Sequence, residues 1–308
     1  MNDSEKTLIV PQPLKKGDRI AILSPAGIIK PEFVYQAMQV LQDEGYEPFV
    51  MPHALGRWRT YSGTAPERLS DLRQAILDPS VKAILCSRGG YGAVHLLEEL
   101  DRLPLRDNPK WIIGYSDISA LHALMHRHGI VSVHAPMAKH LATLKGRDDD
   151  ARALFGILSG EPQLYSIPPN PLNRPGTAVA PLVGGNLAVI ADLVATPFDT
   201  ILPDTILFIE DIAEPIYKTE RILYQLRLSG ALSRLKGLIV GAFTDYTPDV
   251  DGHTMEEMVS SMVSDYTYPV AFGVPVGHVD HNIPLQVSLT TRLEVTPEQT
   301  YIVQPADA

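Results

Sequence analysis

The first half of the chain repeats one local pattern, and that pattern leaves few folds open. A short apolar run ends in a loop of Gly, Pro or Ser, and an amphipathic stretch follows. Residues 19–23 read as a strand closed by Ser24-Pro25-Ala26-Gly27. Pro31 then opens a helix through Val34, Met38 and Leu41, with Gly45 as its stop. A second strand falls at 47–50. Residues 66–77 are helical, with Leu69, Leu72, Ala75 and Ile76 on one face. Strands at 81–86 and 111–115 alternate with helices at 94–100 and 118–128. This order implies a parallel sheet covered by helices. In such sheets ligands bind beyond the carboxyl ends of the strands.

The pattern breaks over residues 161–181, where proline is dense and the composition is that of a linker. It then resumes. Strands are expected at 178–183, 205–210, 235–242, 270–275, 287–295 and 300–303, with helices at 187–195, 217–228 and 255–266. A length of 308 residues fits about two domains. The expected division is an N-terminal α/β domain over 1–165, a Pro-rich linker over 166–180 and a C-terminal α/β domain over 181–308.

Charge and cysteine content narrow the function classes. The net charge of −10 argues against nucleic acid as a partner. A single cysteine excludes an intrachain disulfide and a cysteine-rich zinc site. No apolar run approaches the roughly 18 residues of a membrane span. The apolar run at 8–10 is too short for a secretory signal, and Pro11 ends it. The expectation is a cytoplasmic protein with no membrane partner.

Ser116 is the sharpest chemical feature. It follows an apolar strand directly and precedes a helix, so its hydroxyl projects at a strand-to-helix turn. The next amide, on Asp117, lies at a helix N-terminus, where unpaired N–H groups can hold an oxyanion. The segment resembles a nucleophile elbow, although Ile118 stands where G-x-S-x-G has its second glycine. A helix N-cap is the alternative role. A serine nucleophile needs a base. His278, in Gly277-His278-Val279-Asp280-His281-Asn282, sits in a glycine-bearing loop past a strand. His278-x-x-His281 with Asp280 also reads as a metal-ligand pattern, but no H-E-x-x-H appears, the loop is not evidently helical and a third ligand is not obvious. Glu210 closes the apolar strand at 205–210, a costly place for an acid without a partner. Asp211 next to it would point the other way and cap the following turn. The order Ser116, Glu210, His278 is the nucleophile-acid-base order of α/β-hydrolases.

Ser87-Arg88-Gly89-Gly90-Tyr91-Gly92 forms a second strand-end loop. Its glycines let backbone approach a ligand, and Gly90 N–H is the candidate second oxyanion donor. Phosphate binding is the rival, but the loop matches neither dinucleotide nor Walker spacing. Cys86 closes an apolar strand and reads as core.

Six segments together resemble the LD-carboxypeptidases, a family of serine peptidases that includes muramoyltetrapeptide carboxypeptidase and microcin C self-immunity proteins. They are Leu-Lys-Lys-Gly-Asp-Arg-Ile-Ala-Ile-Leu-Ser-Pro-Ala-Gly (14–27), Cys-Ser-Arg-Gly-Gly-Tyr-Gly-Ala (86–93), Ile-Gly-Tyr-Ser-Asp-Ile-Ser-Ala-Leu-His (113–122), Leu-Val-Gly-Gly-Asn-Leu (182–187), Phe-Ile-Glu-Asp-Ile (208–212) and Gly-Val-Pro-Val-Gly-His (273–278). The resemblance spans about residues 14–303. It implies a Ser116-His278-Glu210 triad and an oxyanion hole from the Gly90 and Asp117 amides. It implies an N-terminal domain like class I glutaminases and a smaller C-terminal α/β domain. It further implies a homodimer, no metal or other cofactor, and cytoplasmic release of D-alanine from peptidoglycan tetrapeptides.

Arg88, with Gly89 and Tyr91 beside it, is the candidate for binding the substrate's terminal carboxylate. Three rival readings remain: a hydrolase of peptidyl- or aminoacyl-adenylate analogues, with Trp58 and Tyr61 as stacking candidates, a binding module without catalysis, and a metal enzyme.

Overall fold

The computed structural model describes residues 7–248 and 250–308. The chain divides into two compact units, one running to Glu161 and including Ile283–Ser288, the other comprising Pro162–Asn282 and Leu289–Ala308. No helix among the described residues is long and apolar enough to cross a membrane.

In the first unit the elements are β1 (Arg19–Leu23), α1 (Pro31–Asp43), β2 (Glu47–Val50), α2 (Ala65–Leu77), β3 (Val81–Cys86), α3 (Leu97–Asp101), β4 (Trp111–Gly114), α4 (Ser119–Arg127), β5 (Ser132–His134), α5 (Ala138–Leu144) and α6 (Asp149–Ser159). The helices start where local chemistry allows. Pro31 occupies the first turn of α1, where a missing N–H costs nothing. Thr64 and Glu67 form a reciprocal capping box at α2. Strands β1, β3 and β4 are almost wholly buried, as strands with helices on both faces must be.

The strand order is 2-1-3-4-5, all parallel, with a sixth strand, Leu285–Val287, antiparallel against β5. The sheet is therefore mixed rather than purely parallel. Its order reverses between β1 and β3, the place where such sheets open a crevice.

The second unit holds β6 (Gln163–Ile167), β7 (Gly176–Asn186), α7 (Leu187–Ala191), β8 (Ile206–Ile212), α8 (Ile216–Leu228), β9 (Gly237–Thr244), α9 (Met255–Met262) and β10 (Val270–Ala271). After β11 (Leu285–Val287), which belongs to the first unit, it continues with β12 (Thr290–Val295) and β13 (Thr300–Gln304). Its sheet runs β10-β9-β8-β7-β12-β13-β6. The first four of these strands are mutually parallel, and β7, β12, β13 and β6 pair antiparallel. Val183, Leu207, Leu223, Leu238, Met258 and Phe272 belong to the buried cluster under the parallel part.

Two further expectations change here. The stretch around 161–181 carries β6 and the start of β7. Residues 287–295, expected as one strand, fall in two. Ser288 takes a left-handed φ of 76°, and β11 and β12 join different sheets on either side of it.

Candidate active site

In the first unit, three loops leave the carboxyl ends of β1, β3 and β4 and meet one another. Ser24 Oγ donates to the Ala54 carbonyl at 2.6 Å and lies 2.5 Å from Ser87 Oγ. The Gly27 N–H donates to the Gly89 carbonyl at 2.9 Å. Asp117 Oδ2 accepts the Ala93 N–H at 2.8 Å. All but the bond to Ala54 join two of the loops or their flanks, so the glycine-rich segment is held from both sides.

Ser116 sits at the start of a single 3-10 turn between β4 and α4. Its φ of 66° is left-handed, a strained conformation for a residue with a Cβ. Such strain at a strand-to-helix turn is the backbone signature of a nucleophile elbow. Gly89 lies directly against it. A Cβ on Gly89 would come within 2.8 Å of Ser116 Cβ, 2.9 Å of Ser116 Oγ and 3.3 Å of Asp117 N. Only glycine fits there, and the approach brings the Gly89–Gly90 backbone beside the serine hydroxyl and the Asp117 amide. The Gly89 carbonyl is turned toward Gly27, so in a trans peptide the Gly90 N–H points the opposite way.

The Asp117 side chain is buried, which raises its carboxyl pKa; its bond from Ala93 and the nearby Arg68 oppose this. Below the turn lies His122, buried, with Nε2 2.8 Å from the Gly114 carbonyl and Nδ1 2.8 Å from Ser132 Oγ. A carbonyl accepts only, so Nε2 carries the proton and Nδ1 accepts from Ser132. Burial pushes the His122 pKa down to about 4.

The other expected residues of the loop are on the surface. Arg88 is exposed and donates through Nη1 to the Ile28 carbonyl at 2.7 Å. Tyr91 is exposed, its ring edge-on to His95 at 5.2 Å and tilted on Tyr61 at 6.1 Å. Trp58 and Tyr61 stack on each other at 5.8 Å, and the Arg59 guanidinium lies 4.5 Å over Trp58. Cys86 is buried, and burial raises its thiol pKa far above the ordinary range.

In the second unit, Glu210 and His278 meet. His278 Nδ1 lies 2.8 Å from Glu210 Oε2, across 68 residues of sequence. Glu210 is fully buried. Burial raises its pKa, while His278 and Asn186 oppose the shift. Two local features make the meeting possible. The β8–β9 register slips between Ile209 and Asp211, so Glu210 stands at a bulge. Bulges re-aim side chains. Gly277, at φ 119°, has no Cβ; one placed there would fall 2.7 Å from Glu210 Cβ and Oε2. The loop is pinned by Asn282 Oδ1, which accepts the Gly277 N–H at 2.9 Å.

Asp211 is expected to cap the turn after β8; it accepts the Ile212 N–H at 2.9 Å, but its other partners lie at the start of α7. It accepts from Asn186 Nδ2 at 2.8 Å and from the Ala188 N–H at 2.9 Å, fixing the start of α7. His281 and Asp280 are exposed. Among the described residues, the His/Cys/Asp/Glu group close enough to share one ion is His140, Asp148 and Asp150, and it includes none of the His278 loop.

Two residues escaped the sequence reading. Asn186 pairs with Glu210 across the β7–β8 register and anchors Asp211. Its signal was present in the Gly184-Gly185-Asn186 strand end. Arg68 is 2% exposed although it is charged; it stands four residues before Leu72 on the buried face of α2, and that spacing is the signal that could have found it.

Residues 20–135 match the LD-carboxypeptidase N-terminal domain, and residues 179–293 match the LD-carboxypeptidase C-terminal domain. The chain is 31% identical over 285 residues to the murein tetrapeptide carboxypeptidase of Pseudomonas aeruginosa, covering 90% of this chain and 93% of that protein. It is 32% identical over 304 residues to the probable murein peptide carboxypeptidase of Bacillus subtilis, covering 96% and 94%. The crystal structure of muramoyltetrapeptide carboxypeptidase from Oxalobacter formigenes superposes with a TM-score of 0.85 at 28% identity, covering 92% of this chain and 98% of that one. Both halves of the chain, matched in order, make it a member of the LD-carboxypeptidase family and a carboxypeptidase.

Proposed function

We propose that the protein is a serine-type LD-carboxypeptidase that releases terminal D-alanine from murein tetrapeptides, with Ser116 as nucleophile, His278 as base and Glu210 as the acid that orients it. The observation that carries the reading is the left-handed Ser116 with Gly89 pressed against its hydroxyl. A serine that only capped a helix would need neither the strain nor a glycine at that contact.

The chemistry follows from the protonation states. Glu210 accepts from Nδ1, so the Nδ1 proton is fixed and Nε2 keeps its lone pair. Nε2 takes the Ser116 proton as Oγ bonds to the scissile carbonyl carbon. The carbonyl π pair moves to oxygen, and the Gly90 and Asp117 N–H groups stabilise that oxyanion. Collapse breaks the C–N bond, and imidazolium delivers its proton to the leaving D-alanine amine. Water, deprotonated by Nε2, then attacks the acyl-enzyme, and the proton returns to Ser116 as the shortened peptide leaves. The Glu210 carboxylate stabilises the imidazolium in both halves of the cycle. Arg88 uses one donor on Ile28; the rest of its planar fork suits the D-alanine carboxylate.

The adenylate-analogue reading needs an exposed ring face for a base. Trp58 and Tyr61 stack on each other, and Arg59 covers Trp58, so these residues do not favour it. The test is incubation with L-Ala-D-Glu-diaminopimelate-D-Ala and mass-spectrometric detection of D-alanine, beside Ser116→Ala and an all-L peptide. Release by wild type alone, and only from the D-Ala peptide, is expected. Release that survives Ser116→Ala overturns the nucleophile.

A further inference from the structure

We propose that Arg68 is the positioning residue of the oxyanion hole: its buried guanidinium sets where the Gly89–Gly92 backbone lies against Ser116. The inference rests on the reading of Ser116 as nucleophile and of Gly90 and Asp117 as its amide donors.

Arg68 lies in α2, just past the capping box. Its Nε donates to the Gly63 carbonyl at 3.1 Å, and Nη1 donates to the carbonyls of Pro25 at 2.5 Å and Gly92 at 2.8 Å. Nη2 sits 3.4 Å from His95 Nδ1, and the guanidinium carbon lies 5.0 Å from the Tyr61 ring centroid. The three carbonyls belong to three segments: the loop after β1, the approach to α2, and the end of the glycine loop. One rigid group therefore sets the spacing of all three.

The path to the hole is short. Pro25 leads to Gly27, whose N–H holds the Gly89 carbonyl at 2.9 Å and thereby orients the Gly90 N–H. Gly92 leads to Ala93, whose N–H is held by Asp117 Oδ2 at 2.8 Å. Arg68 thus fixes both ends of the segment that faces Ser116, and at one end it meets the residue that supplies the other amide.

Stability alone is a poor account of this arginine. Burying a charge costs free energy unless it is hydrogen-bonded, and the three carbonyls offset that cost only while one group reaches all of them. What an apolar side chain cannot do is hold three carbonyls at fixed separations. Lysine cannot either, because its donors radiate from one atom.

The test compares wild type, Arg68→Lys, Arg68→Met and Arg68→Ala by two readouts. One is D-alanine release from the tetrapeptide, resolved into kcat and KM. The other is the labelling rate of Ser116 by a fluorophosphonate, whose phosphonyl oxygen uses the same amides. Circular dichroism reports the folded fraction. All three variants are expected to fold, to keep KM within about threefold, and to lose about 100-fold in kcat and in labelling rate, as a misplacement of about 1 Å does.

An open cavity of about 530 Å³, lined in part by Trp58, Tyr61, Pro66, Arg68 and His95, gives a small cation access to this position. Millimolar guanidinium is therefore expected to restore Arg68→Ala while leaving wild type and Gly89→Ala unchanged. Unchanged kcat and labelling in Arg68→Met, or losses that merely track the unfolded fraction with no guanidinium rescue, overturn the proposal. Wild type that labels but does not release D-alanine sinks the substrate reading while the labelling rates still decide Arg68. Wild type that does neither sinks both.

Discussion

In the proposed mechanism the two units solve different physical problems. The first presents a hydroxyl and two amides, and it does so with backbone: a left-handed serine, a glycine with no room for a Cβ, and carbonyls held by neighbouring loops. The second presents a side-chain pair, and it does so by burial: a carboxylate with no exposure, re-aimed by a bulge, beside a histidine on a pinned loop. Backbone donors tolerate almost no displacement but little change of charge is involved. A buried acid tolerates substitution in shape but not in charge. The difference predicts that the first unit is broken by a single methyl group and the second by a single proton.

Ser116→Ala should have the largest effect, a fall in kcat of about 10⁶ with the fold intact, because no other group can accept the acyl chain. Glu210→Gln comes next. The amide fills the same space, yet it cannot carry the charge that stabilises imidazolium, and it can turn its NH₂ toward Nδ1 and so impose the wrong tautomer. A loss of about 10⁴ in kcat is expected, with an unchanged circular dichroism spectrum. A loss below tenfold would mean that His278 is oriented by something other than this acid.

Gly89→Ala tests the other half of the contrast. It changes no charge and adds one methyl group, which would sit 2.8 Å from Ser116 Cβ. Either the serine turn or the glycine loop must shift, and the amides then miss the oxyanion. A loss of about 10²–10³ in kcat is expected, the cost of one oxyanion donor. Steady-state kinetics on the tetrapeptide checks it. The same substitution at Gly252, where a Cβ meets nothing within 4 Å and only the left-handed φ of 81° is strained, serves as the comparison, and kcat there should be unaffected.

The same contrast explains what was legible beforehand. Strands β1 and β3 fall where their apolar runs place them, at 19–23 and 81–86, because a strand buried on both faces writes itself into consecutive residues. Ser116 was legible for the same reason: strand, serine and helix adjoin in sequence. The Glu210–His278 pair is a contact over 68 residues, so only the isolated oddity of each residue showed, not their meeting.

Strand β6 was hidden because its residues alternate only weakly in burial among prolines, and its partner β13 lies far along the chain. Residues 287–295 look like one strand because side-chain pattern carries no information about which sheet a strand joins. The left-handed Ser288 separates them, and nothing in a serine announces that conformation. Helix α6 did carry its signals, an Asp148 cap and a left-handed Gly160 stop, in a stretch where no helix was expected. Arg68 stands in register with Leu72 and Ala75 on the buried face of α2, but a charged side chain there gives no sign of the three carbonyls that hold it.

His122 offers a smaller effect, and one confined to the first unit. Its folded pKa of about 4 lies below the ordinary histidine value of 6.5. The unfolded chain therefore binds more protons between these values. The contribution is fully present above about pH 6.5 and is lost as pH falls toward 4, amounting to about 3 kcal/mol. Both tryptophans, Trp58 and Trp111, lie in the first unit, so their fluorescence follows its unfolding separately. In urea titrations at pH 4.5 and pH 7, wild type should lose more stability at the lower pH than His122→Gln, which keeps a neutral donor and acceptor. Equal losses would mean that His122 does not titrate in this window.

The smallest expected effect is at Cys86, and it separates intrinsic reactivity from placement. A thiol is a far better nucleophile than a hydroxyl once ionised. Cys86 closes β3, one residue before the loop that reaches Ser116, so proximity alone does not exclude it. Its surroundings do. The side chain has no exposure, and burial raises its pKa, so the thiolate is scarce at neutral pH. Ser116 is the weaker nucleophile in water, yet it alone stands on a strained turn with an adjacent amide and a glycine opened toward its hydroxyl. Cys86→Ala should therefore leave kcat within twofold and cost about 1 kcal/mol of first-unit stability, the loss of one small buried group. In the folded protein iodoacetamide should leave both the thiol and the activity intact. A Cys86→Ala variant that folds but has lost activity would move the nucleophile from the strained turn to the core strand beside it, and would remove the backbone half of the contrast altogether.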